Sequence, residues 1–168
     1  MHALYLISVG IHILAATIWI GGMFFLVLVL VPWLRKGTRP DAVLVVRETG
    51  ERFRGVSWAC FVALMLTGTF NLWVRGVRLT DFVSAEWLAS PFGRTVLFKL
   101  GVFVLVLGLS AMHDFVIGPR ATQVLLRAPG SPEAKTMRRR ASLMGRLNVA
   151  LALMLLVAGL LLVRGTPW

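Results

Sequence analysis

A chain of 168 residues with one cysteine, one tyrosine and only seven acidic residues leaves many chemistries without material. The lone Cys60 excludes an intramolecular disulfide and a CxxC redox pair. Set in an apolar run, it reads as a small buried side chain. The chain has no HExxH, no glycine-rich phosphate loop and no Ser-His-Asp order. Hydrolytic and nucleotide chemistry therefore have no support. Internal repeats, low-complexity stretches and any polar region large enough for a soluble domain are also missing.

What is present is mostly apolar: 58% of residues are hydrophobic and the mean hydropathy is +0.82. Four runs, residues 3–34, 56–74, 95–117 and 142–163, each reach the roughly 20 residues that cross a hydrocarbon core. The runs are continuously apolar rather than alternating, which favours helices over a barrel. The expected fold is all-α: one transmembrane domain over residues 1–168, an integral membrane four-helix bundle. The N-terminal MHALYLISVG has no positive leading region and reads as a retained helix.

The net charge of +11 is concentrated in two connections. Residues 35–55 hold Arg35, Lys36, Arg39, Arg47, Arg52 and Arg54. Residues 119–141 hold Arg120, Arg127, Lys135, Arg138, Arg139 and Arg140. The middle connection has Arg75, Arg78 and Arg94 against Asp81 and Glu86. The positive-inside rule then places the first and third connections in the cytoplasm and both termini outside. This pattern points to lipid headgroups rather than nucleic acid as the partner of the positive charge.

Local signals refine the ends. Trp58 and Trp73 fall near the two ends of the second run, as an aromatic belt predicts. Ser90 and Pro91 read as cap and first turn of the third helix. Gly118–Pro119 reads as its stop. Residues 41–54 and 133–141 are candidate short cytoplasmic extensions of helices two and four.

Polar groups inside a membrane are costly and usually have a job. They fall into two layers. His12 on helix one, Thr67 and Asn71 on helix two and Lys99 on helix three share the outer half. His113 and Asp114 on helix three, with Arg146 and Asn148 on helix four, share the inner half. At 1.5 Å per residue the two histidines differ by roughly 15–20 Å in height, so they do not serve one ion or one haem iron. Helical spacing puts Tyr5, Ser8, His12, Ala15, Ala16, Trp19 and Met23 on one stripe. Ser57, Cys60, Leu64, Thr67 and Asn71 form a second stripe. Lys99, Val106, Ser110 and His113 form a third, and Asn148, Ala152, Leu155 and Gly159 a fourth. All four can face inward, and small residues on them allow close approach.

Each polar residue also has a plain structural reading. His12 could simply hydrogen-bond a neighbouring helix, and Lys99 could snorkel outward. His113 and Asp114 could be a structural pair. Trp19 suits packing as well as a site. The methionines are scattered, with no Met-x-x-Met cluster, and read as core filler rather than a copper relay.

IHILAATIWIGGMFF (11–25) resembles the first helix of CopD-like and HemJ-like membrane proteins, with His12, Trp19, Gly21 or Gly22, and Phe24–Phe25. TGTFNLW (67–73) is similar to their Thr-Gly element. SPFGRTVLFK (90–99) is similar to the CopD run of aromatic-Gly-Arg followed by Leu-x-Lys-Leu, here Phe92, Gly93, Arg94, Phe98, Lys99 and Leu100. The resemblance spans three of the four helices in order. It implies a bacterial inner-membrane protein of copper resistance, or one that binds b-type haem through the first-helix histidine and oxidises a porphyrinogen. His12 becomes the candidate axial haem or copper ligand and Lys99 the matching third-helix lysine. Arg94 becomes the propionate or surface partner, with Asn71, Thr67 and Trp19 around the site. The Met/His-rich collector segment of copper proteins and the Leu-Pro-Arg-Leu run of HemJ are both missing.

Copper(I) favours thiolate, thioether and imidazole. Haem needs an apolar slot, a histidine and cations for its propionates. The expected function is copper handling or membrane redox chemistry at a haem b or copper site near the outer leaflet. The alternatives are an accessory subunit of a larger membrane complex, or a small ion or proton transporter using Lys99 and His113–Asp114. Four spans are few for a transporter, so that last reading calls for a homo-oligomer.

Overall fold

The computed structural model describes residues 1–35 and 41–165. Four helices are long and apolar enough to cross a membrane: His2–Leu34, Ala42–Val74, Pro91–Arg127 and Pro132–Arg164. They are called here the first to fourth helix. The described residues contain no strand. Lys36 and Arg39 of the basic first connection lie outside the described residues.

Every helix is longer than its apolar run. At 33 to 37 residues each is about 50 Å long, against a hydrocarbon core of about 30 Å. The surplus lies mainly at the end with the first and third connections, called here the basic end. The second helix starts at Ala42 and the fourth at Pro132, so both basic flanks expected as extensions are helical. Ser131 starts the fourth helix by accepting from Ala134 N–H at 3.1 Å, with Pro132 in the first turn. Ser90 does the same for Gly93 N–H at 3.0 Å, ahead of Pro91, because the first-turn donors of a helix have no partner of their own.

The third helix does not end at Gly118–Pro119. It continues to Arg127 through a π-helical turn at His113–Ile117. A proline removes one backbone donor and its ring collides with the carbonyl four residues back. For Pro119 that carbonyl belongs to Phe115, inside the π turn, where Gly118 N–H instead reaches His113 O. The first helix repeats the device: Pro32 faces the Leu28 carbonyl, inside the π turn Phe25–Leu30. Both prolines are absorbed by widening the preceding turn rather than by stopping the helix.

The second helix closes at Gly76, whose φ of +89° is open to glycine without strain. Gly76 N–H reaches Trp73 O and Val77 N–H reaches Leu72 O, both at 3.0 Å, the paired bonds of a Schellman ending. Arg78 seals the same end, donating to Trp73 O at 2.7 Å with its guanidinium over the Trp73 ring.

The bundle is two antiparallel helical pairs, first with second and third with fourth. Large side chains close the space between the pairs. Phe61, 1% exposed, meets Trp19 edge-on at 5.0 Å and Phe103 at 6.1 Å. Ala15, Met23, Cys60, Leu64, Val106 and Ala152 complete this core. In lipid such packing is held by van der Waals contact, since tails outside are as apolar as the side chains inside. The buried faces match the four stripes read from spacing: Ser8, Trp19, Ser57, Cys60, Val106, Ser110 and Ala152 all lie inside. Side chains such as Leu14, Leu66, Leu105 and Leu160 lie outside.

Candidate functional site

His12 is seated by the second helix. Its Nδ1 lies 2.8 Å from Thr67 Oγ1. The Thr67 hydroxyl lies 2.6 Å from Ala63 O, a carbonyl that can only accept. The threonine proton is thus committed to its own helix, and the bond to the ring is donated by His12 Nδ1–H. Nε2 is left with its lone pair, the form that binds a metal or accepts a proton. One residue on, Gly68 leaves room for the ring: a Cβ there would touch His12 Cε1 at 3.4 Å. Ser8, one turn before His12, reaches Thr67 O at 3.5 Å. The Thr-Gly element thus holds the imidazole from below and beside.

Lys99 comes from the opposite pair. Its Nζ would lie 3.7 Å from a Cβ on Gly159, so the side chain runs between the third and fourth helices rather than outward along the third. It is close enough to His12 and to Arg75 for their charges to interact. The Arg47–Glu51 pair at 2.9 Å is the single ion pair among the described residues, so Lys99 has no carboxylate partner there. Asn71 Oδ1 is buried without a hydrogen-bond partner among the described residues. Arg75 caps the layer, donating to Leu162 O at 3.1 Å and reaching Tyr5 Oη at 3.4 Å. His12, Thr67 and Lys99 are therefore brought to one layer, with Asn71 one helical turn from Thr67.

Arg94 and Trp19 stand apart from this layer. Arg94 is exposed at the start of the third helix. Its neighbour Gly93 has a structural duty, because a Cβ there would collide with the Trp87 carbonyl. Trp19 is 2% exposed and belongs to the aromatic core with Phe61. Of the two glycines after it, Gly22 is the packed one, facing the Phe53 ring, while Gly21 is open.

The second layer, toward the basic end, is assembled differently from the sequence reading. Trp58, expected at an aromatic belt, has a partner within the bundle: its indole N–H donates to Asp114 Oδ2 at 3.1 Å. Arg54, outside the expected set, donates to Asp114 O at 3.2 Å and lies over the Phe115 ring at 5.5 Å. Asn148 Nδ2 donates to Ser110 Oγ at 2.8 Å, joining the third and fourth helices. His113 Nδ1 and Asn148 Oδ1 are buried without partners among the described residues. Arg146 does not join this layer; it is exposed on the other side of the fourth helix. The physical reason is angular. Two residues from Asn148 is about 200° around the helix. Arg54 and Trp58, one turn apart and facing the third helix, carried a signal in that i,i+4 spacing.

Thr67 and Trp58 are nine residues apart on one helix, about 14 Å of rise, so the two layers are separate sites. Among the described residues no group of three or more His, Cys, Asp or Glu could hold a metal ion.

The copper resistance protein D family matches the chain over residues 47–163. The chain belongs to that family. The match covers the second to fourth helices and leaves out the first, which carries His12. A protein of Aquifex aeolicus (strain VF5), described as uncharacterized, is 31% identical over 151 residues, 89% of this chain and 88% of its own. No solved structure matches the chain. Family and helices together describe a multi-pass membrane protein related to copper resistance.

Proposed function

We propose that this member of the copper resistance protein D family is a redox protein of the bacterial inner membrane. At the layer nearer the termini, His12 Nε2 would hold the iron of a b-type haem. The observation that carries this reading is the chain of bonds from Ala63 O through Thr67 to His12 Nδ1. A bond to the ring nitrogen that faces away from the ligand fixes the tautomer and aims the free nitrogen, as around metal-bound histidines generally.

The donor set separates haem from copper. The layer offers one imidazole and no sulfur, and an ammonium close enough for its charge to reach the ring repels a small cation. A resident copper ion does not fit these residues. Haem does, because it asks for one imidazole on the iron and a cation for its propionates. When bound, it supplies one-electron transfer. Lys99 would be the anion partner within the bundle; Arg94, exposed at the start of the third helix, stands outside this layer. Gly68 and Gly159 keep the ring and the ammonium free of Cβ atoms. Positive-inside charge favours the outer leaflet for this layer.

The test is an absorption spectrum, oxidised and dithionite-reduced, of protein purified in mild detergent from haem-replete cells. A Soret band that shifts on reduction and is lost in His12→Ala is expected. A full signal in His12→Ala, or a featureless visible spectrum for the wild type, would overturn the reading. The second outcome would favour a non-catalytic subunit of a larger membrane complex.

A further inference from the structure

Arg146 lies four residues inside the apolar run of the fourth helix, about 6 Å beyond its start. It is exposed on the bundle surface. Asn148, two residues on, is bonded inward to Ser110, and 200° of helix rotation turns Arg146 toward lipid. A guanidinium there cannot stay unpaired in hydrocarbon. It must reach back to the headgroup level, along its own helix.

Arg139 is seven residues earlier, two turns away and on the same face. It too is exposed, as are Leu143, Leu147 and Ala150 between and beyond the two arginines. From residue 115 to residue 165 the sole acidic residue is Glu133, and it lies on another side of the helix. The Arg47–Glu51 pair is the one ion pair among the described residues. The Cα positions of the two arginines are about 10 Å apart along the helix, and the Arg146 side chain reaching back toward Arg139 brings both guanidiniums to one patch of headgroup space, above an apolar strip. Guanidinium suits phosphate better than ammonium does, because its planar fork binds two oxygens at once.

We propose that Arg139 and Arg146 hold one anionic phospholipid on the lipid face of the fourth helix. The lipid phosphate sits between the two guanidiniums and an acyl chain lies on Leu143, Leu147 and Ala150. This is a defined site, distinct from the diffuse attraction of a basic loop for an anionic leaflet.

The full chain is purified and reconstituted in phosphatidylcholine nanodiscs with or without phosphatidylglycerol. Retained lipid is counted by native mass spectrometry. Wild type is expected to retain phosphatidylglycerol selectively. Arg139→Gln/Arg146→Gln should weaken that retention by about tenfold or more. Arg127→Gln/Lys135→Gln removes the same charge farther from the apolar run and should leave retention intact. Equal loss in both double variants would mean leaflet attraction only, and no loss in the first would mean no site; either overturns the proposal. If the first double variant fails to fold, Arg146→Gln alone serves, with about a fivefold loss expected.

Discussion

His12 and Thr67 are joined by a 2.8 Å bond whose direction is set by a third residue, since the Thr67 proton is already given to Ala63 O at 2.6 Å. Thr67→Val removes the acceptor of the ring N–H, while Thr67→Ser keeps it. In ¹⁵N NMR of the histidine ring, wild type and Thr67→Ser should show the Nδ1–H tautomer and Thr67→Val a mixture. A valine variant with an unchanged tautomer would remove the orienting role of Thr67.

Gly159 leaves the space that Lys99 Nζ occupies, with 3.7 Å to a would-be Cβ. That is ordinary contact distance, so Gly159→Ala should be tolerated. Gly159→Leu should drive the lysine out, so that its absorption spectrum matches that of Lys99→Met. Different spectra for these two variants would show that Lys99 acts elsewhere.

Gly93 faces the Trp87 carbonyl and cannot take a Cβ without moving backbone, whereas Gly101 is open. Gly93→Ala should lose about 1–3 kcal/mol of stability as an overpacked site does. Gly101→Ala should be neutral or slightly stabilising, since alanine is the better helix former. Thermal unfolding in detergent distinguishes the two.

Trp58 supplies the one side-chain hydrogen bond of the Asp114 carboxyl group among the described residues, at 3.1 Å. Trp58→Phe keeps the ring and deletes the N–H. A half-buried carboxyl group then loses its donor, at about 1–3 kcal/mol. Asp114→Asn retains an acceptor and should cost less. Unfolding in a denaturing detergent series checks the order.

Charge placement predicts which way the bundle faces. In a Cys60→Ala background, cysteine at Ser84 should be labelled from outside intact cells and cysteine at Ser131 only after permeabilisation. The reverse pattern would invert the bundle.

The inward stripes were legible because a 100° step per residue sorts Ser8, Trp19, Cys60, Val106 and Ala152 onto buried faces without any knowledge of neighbours. The sharing of one layer by His12 and Thr67 followed from that sorting plus depth. Three features were not legible. Pro119 reads as a stop unless the π turn ahead of it is known, and no residue type marks that turn. Trp58 reads as a belt residue by depth alone, because its acceptor, Asp114, is 56 residues away in sequence. Arg146 was grouped with Asn148 by height, and height ignores the rotation that sends it to lipid.

The two π turns also reset angular phase. Each carries one residue more than an α turn would, so side chains beyond it are rotated by about 100° from where unbroken counting puts them. Arg120 and Arg127 therefore lie on a different meridian from the one that Lys99 and Val106 would project. Removing a single residue from 113–117 would swing the whole basic extension of the third helix around its axis while leaving the membrane-embedded half in place. Two short insertions thus uncouple the facing of the water-exposed ends from that of the buried core. Each half of the first and third helices can be tuned without disturbing the other.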